Sequence, residues 1–130
     1  MMARMSEATI TVYGIRNCDT VKKARQWLDE HHLAYRFHDF KQVGVPGQRI
    51  DYWLATAPWE KLLNRQGTTW RKLDADTRTA ATDAQAARAL MLANPSVIRR
   101  PVVEWDATSA PELSIGFEPA RWSARLAGAR

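Results

Sequence analysis

Cysteine is almost missing from this 130-residue chain: Cys18 is the only one. No intramolecular disulfide can form, no cysteine-rich zinc site can be built, and a lone thiol fits a reducing compartment. Histidine is scarce too, with three residues. His31 and His32 are adjacent and point apart on a helix, and His38 has no carboxylate or thiol arranged with it, so no metal site is expected. No apolar run approaches the length that crosses a bilayer. The start, M-M-A-R-M-S-E, lacks the apolar core of a signal peptide, so secretion is excluded and a cytoplasmic protein is expected. The net charge of +5 permits an anionic partner. The basic residues are scattered rather than run together, and nucleic acid is not singled out.

What remains is the composition of a soluble globular protein, 45% hydrophobic and 25% charged. The length suits one domain with a real core. Residues 1–8 are expected to form a flexible tail, and 9–127 a single domain.

The chain is organised around Thr9 to Leu28. Ile10 and Val12 alternate with Thr11 and Tyr13 in a β-branched, aromatic run that predicts a strand, and Gly14 breaks it. From Asp19 onward Val21, Ala24 and Leu28 share one helical face, with Trp27 beside them. Cys18 therefore stands where the helix begins. The first turn of a helix has unpartnered N–H groups at the positive end of the dipole, which favours a thiolate over a thiol. Arg16 and Lys22 add positive charge nearby and Asp19 opposes them. A free cysteine is otherwise an ordinary small buried hydrophobe. The polar, cationic flanks and the strand-to-helix junction favour a reactive thiol here.

The rest of the chain reads as short elements. Ala34–Phe40 alternates as a second strand, parallel to the first because a helix joins them. Val43–Gly47 is a turn. Between about 45 and 81 lies a helical insertion: Gln48–Ala57, Pro58–Leu63, a turn at Trp70–Leu73, and a short helix or loop at Asp74–Ala81. Thr82, with Gln85 three residues on, fits a capping box opening an alanine-rich helix. Val102–Trp105 and Leu113–Gly116 predict a hairpin, and Glu118-Pro119 starts a last helix. The six tryptophans are scattered through these elements and read as core anchors.

Three motifs carry a family resemblance: Y-G-I-R-N-C-D-T-V-K-K-A, L-L-N-R-Q-G-T-T-W-R-K-L and I-R-R-P-V-V. In that order they resemble the arsenate reductase family of the glutaredoxin-linked type. The YffB-like branch is most similar, and the Spx transcriptional regulators stand near it. The likeness spans about Thr9 to Leu126. It implies an α/β, thioredoxin-like fold: a four-stranded mixed sheet flanked by helices, with a helical insertion after the second strand. It also implies a reactive cysteine at Cys18, an anion-holding arginine at Arg100 and a cis proline at Pro101. An exposed surface arginine and a plain strand-start proline are the ordinary alternatives at those two positions.

The chain departs from the family pattern at three points. Val21 stands where a serine helps to ionise the thiol, and where Spx regulators typically carry a second cysteine. Asn64, followed by Arg65, meets one oxyanion arginine. Gly116 or Phe117 meets another. Three functions are therefore weighed. The first is a glutathione-dependent thiol/disulfide reductase with Cys18 as nucleophile and glutathione as thiol co-substrate, glutaredoxin being a further partner. Arg100, with Arg16 or Arg65, would pair with glutathione carboxylates, and the backbone at Pro101 would hold its peptide. Asn17 and Thr20 would orient the thiolate, or serve only as turn and cap residues. The second is arsenate reduction. The third is a non-enzymatic, Spx-like protein that binds RNA polymerase.

Overall fold

Strand β1 (Ile10–Gly14) leads through a tight loop into helix α1 (Asp19–Glu30), which returns the chain to β2 (Tyr35–Asp39). The computed structural model describes residues 8–128. The expected tail, apart from Ala8, lies outside the described residues. β1 and β2 are parallel, with Ile10 beside Tyr35 and Gly14 beside Asp39. Strand β3 (Val102–Glu104) pairs antiparallel with β1, and β4 (Leu113–Ile115) antiparallel with β3. The order β2-β1-β3-β4 makes the mixed, thioredoxin-like sheet.

Alternation along the strands builds a core on each face. Val12 and Val103 are register partners, both fully buried, on the side covered by α1 and by the last helix, α8 (Pro119–Gly128). Ala24, Trp27 and Leu28 of α1 and Trp122 of α8 pack there. The α1 stripe follows the spacing of Val21, Ala24 and Leu28, all fully buried. At Gly14 the sheet lies tightly against Val21 of α1. A Cβ at that position would lie 2.8 Å from Val21 Cγ2, so only glycine fits.

Tyr13 and Val102 point to the opposite face. There the chain between the strands folds as short helices: α2 (Phe40–Val43), α3 (Gly47–Thr56), α4 (Trp59–Leu62), α5 (Thr68–Lys72), α6 (Ala75–Ala80) and α7 (Ala84–Ala93). Ile50 and Trp53 of α3, Leu62 of α4, and Ala87 and Met91 of α7 fill the core on this side. A 3-10 turn, Pro95–Val97, leads back to the sheet.

Two local expectations are corrected. The cap of α7 is Asp83 rather than Thr82: the Asp83 carboxylate accepts from Ala86 N at 2.8 Å, while Thr82 N is turned back to the Ala80 carbonyl. The second strand stops at Asp39 instead of Phe40, because Asp39 caps α2 by accepting from Lys41 N at 2.9 Å. Four tryptophans, Trp27, Trp53, Trp105 and Trp122, are buried, as core anchors should be.

One polar cluster fastens the insertion to the sheet. Glu104 is 6% exposed. It accepts from Trp53 Nε1 at 2.8 Å, Arg49 Nε at 2.8 Å and the Tyr13 hydroxyl at 3.2 Å. Burial, and next the negative charge of Glu104, push the Tyr13 phenol from 10.0 up to about 12, against the opposing pull of Arg49. Above pH 10 the unfolded chain loses that proton while the native chain keeps it. Tyr13 therefore contributes stability that is present below pH 10 and lost as pH rises toward 12, on the order of 2 kcal/mol. Urea unfolding at pH 9 and pH 11 should show a smaller alkaline loss for Tyr13→Phe than for wild type. An equal loss would assign the effect to other groups.

Candidate active site

Cys18 is the N-cap residue of α1, with extended backbone (φ −124°, ψ 124°). Its carbonyl accepts the first helical bond, from Lys22 N at 2.9 Å, and its side chain makes no capping hydrogen bond. The sulfur is left free at the positive end of a helix of 12 residues. The residue is partly buried, resting against the insertion-side core, and it is a free thiol. Val21, the position at which a second group would act on the sulfur, is fully buried.

Cys18 and Thr20 line a cavity of about 480 Å³. Three cations, Lys61, Arg99 and Arg100, line the same cavity, with Glu118 as the one acidic residue among the described residues that line it. The insertion delivers part of this set. Leu63 and Ile98 form an antiparallel bridge, and Arg99 N donates to the Leu62 carbonyl at 2.8 Å and Asn64 N to the Val97 carbonyl at 2.7 Å. That short ladder sets Lys61 and Asn64 beside Arg99 and Arg100. Arg99 is then held by its own Nε, which donates to the Lys61 carbonyl at 2.8 Å.

Arg100 is anchored from behind. Its Nη1 donates to the carbonyls of Ser96 at 2.7 Å and Ile98 at 2.8 Å. Its Nε is buried and has no partner. A buried guanidinium N–H without an acceptor is costly. The Arg100–Pro101 bond is cis, the isomer that the resemblance implies. Pro101 is buried, and its carbonyl accepts from Gly116 N at 2.8 Å. Gly116 has a positive φ of 86°, a backbone suited to glycine, and lines the cavity together with Phe117, the two positions at which the resemblance implies an arginine.

The sequence-derived residues thus separate. Cys18, Thr20 and Arg100 share the cavity, and Pro101 supports its wall. Arg16 does not line it: the loop turns this exposed side chain toward buried Asp39, with Nε 3.9 Å from the carboxylate. Asn17 is exposed and lines a different depression, with Arg16 and Lys41. Arg65 is exposed and lies over the Trp59 ring at 5.6 Å from its centroid. Lys61, Arg99 and Glu118 were not legible as site residues. The one available signal was Arg99 beside Arg100 at the cis proline. Among the described residues no group of three or more His, Cys, Asp or Glu is placed to hold a metal ion. No helix among them is long and apolar enough to cross a membrane.

The fold and site define a thioredoxin-like α/β protein with one thiol facing a cationic cavity. The ArsC family model matches residues 13–125, and the chain belongs to that family. It is similar to an uncharacterized protein of Haemophilus influenzae, at 36% identity over 91% of this chain and 99% of the relative. It is also similar to the global transcriptional regulator Spx of Listeria innocua, at 25% identity over 72% of each chain. Among solved structures, the YFFB (PA3664) protein superposes with a TM-score of 0.83 at 47% identity, covering 91% of this chain and 99% of that one. An arsenate reductase (ArsC) related protein from Brucella melitensis gives a TM-score of 0.70 at 49% identity, covering 92% and 96%.

Proposed function

We propose that the chain is a thiol-based reductase of the ArsC family that works through Cys18 and uses glutathione as its thiol co-substrate. The observation that carries this reading is the free sulfur at the N-terminus of α1, opening on a cavity lined by Lys61, Arg99 and Arg100.

The chemistry is a pair of exchanges. The Cys18 thiolate attacks one sulfur of a disulfide; a Cys18–sulfur bond forms, the old S–S bond breaks, and the leaving thiolate takes a proton from water. A glutathione thiolate then attacks the mixed disulfide and regenerates Cys18. When the substrate is a glutathionylated thiol, the products are the free thiol and glutathione disulfide. With a single cysteine in the chain, the resolving thiol must come from outside. Glutaredoxin is an alternative acceptor of the glutathionyl group. A reducing cytoplasm is the setting that supplies both.

Arg100, which lines the cavity and is fixed there by its bonds to the Ser96 and Ile98 carbonyls, is the cation placed to pair with an anionic thiol ligand. Arsenate is the weaker candidate, because Asn64 and either Gly116 or Phe117 stand where the resemblance implies arginines. Incubation with glutathione disulfide should add one glutathionyl group to the intact chain, read by mass spectrometry. Arg100→Ala should slow that addition by about tenfold, the worth of one charge-assisted hydrogen bond. A chain whose thiol is alkylated by iodoacetamide yet takes up no glutathionyl group overturns the reading.

A further inference from the structure

We infer that Glu118 is a specificity-determining residue that receives the ammonium group of a γ-glutamyl thiol, an assignment resting on the glutathione reading above. Three cations with no acid would make a site for any small anion. This cavity instead has one acidic residue, Glu118, among the described residues that line it, at the junction between β4 and α8. A carboxylate among the groups that hold an anion repels a compact oxyanion. It suits a ligand that carries negative and positive charge at different ends. Glutathione has two carboxylates and one ammonium, and the cavity's three cations and one acid are of matching kind.

The geometry keeps Glu118 available. Its carbonyl accepts from Trp122 N at 3.0 Å, which fixes the residue at the start of α8. Among the described residues its carboxylate pairs with one cation, Arg121, whose Nε lies 3.7 Å away, with both side chains more than half exposed. Such a long, solvated pair holds the acid weakly. The neighbouring Gly116, also in the lining, puts no side chain into the cavity; even a Cβ there would only touch Arg99 Cδ, at 3.9 Å.

The test uses two unreactive ligands, S-methylglutathione and its N-acetylated form, titrated into the full chain by calorimetry. Wild type should bind the free-amine ligand about three- to fivefold more tightly, the worth of an ion pair at a partly exposed site. Glu118→Gln, which keeps shape and removes charge, should erase that preference. Indifference of the wild type to the amine, a preference retained by Glu118→Gln, or binding of neither ligand would each overturn the assignment. The reductase reading fails separately. Were the free-amine ligand preferred in the expected way while glutathione disulfide left Cys18 unmodified, the ammonium site would stand and the redox chemistry would not.

Discussion

Serine in place of Cys18 should bring glutathionyl transfer and glutathione-dependent disulfide reduction down to the uncatalysed background. A hydroxyl does not ionise in the range where a thiol does, and it forms no mixed disulfide, so both exchange steps lose their nucleophile. The fold should be indifferent to the change. The Cys18 side chain makes no capping bond, and the helix bond at this residue runs from Lys22 N to the backbone carbonyl. Serine is itself a favoured N-cap, so the unfolding midpoint should stay level or rise slightly. The variant also separates enzyme from binder. Capture of RNA polymerase, the Spx-like alternative, should survive loss of the sulfur, whereas reductase activity should not. Turnover that persists in Cys18→Ser would show that the chemistry lies elsewhere.

The largest stability effect is expected at Glu104. Alanine there removes the acceptor shared by Tyr13, Arg49 and Trp53, in a place that water reaches poorly: Trp53 is fully buried and Tyr13 is 7% exposed. Breaking one half of a buried ion pair costs about 3–5 kcal/mol. A domain of ordinary stability has about 5–15 kcal/mol in all, so this is a large share. Glu104→Gln keeps an acceptor and loses only the charge opposite Arg49, and it should cost distinctly less. Guanidinium unfolding followed by tryptophan fluorescence reads both. A loss under about 1 kcal/mol for Glu104→Ala would mean that the three donors find other partners, and that the cluster does not fasten the insertion to the sheet.

The same cluster shows why some features were legible and others not. Strand β1 and helix α1 could be read directly, because period-two and helical spacing are properties of consecutive residues. Ile10, Val12, Val21, Ala24 and Leu28 all lie in the core as that spacing required. The place of Glu104 could not be read: a glutamate inside V-V-E-W looks like a solvent-facing strand residue until α3 is laid over it. The α7 cap was misplaced by one residue because Thr82 and Asp83 are adjacent and both are good cap formers. Arg16 was expected near the thiol because it is close in sequence, but the loop sends it toward Asp39. Arg99 and Lys61 stand at the cavity because the Leu63–Ile98 bridge brings distant segments together.

By itself the sequence determined a lone sulfur at a strand-to-helix junction, the order of the elements, and the motifs that place the chain in its family. Those depend on neighbours a few residues apart. The resemblance already pointed to Arg100; only the tertiary structure decided which further charges share the cavity with that sulfur. Lys61, Arg99 and Glu118 arrive from the insertion, the cis-proline turn and the start of the last helix. Coulombic interaction depends on distance through space, which backbone pairing sets and residue number does not.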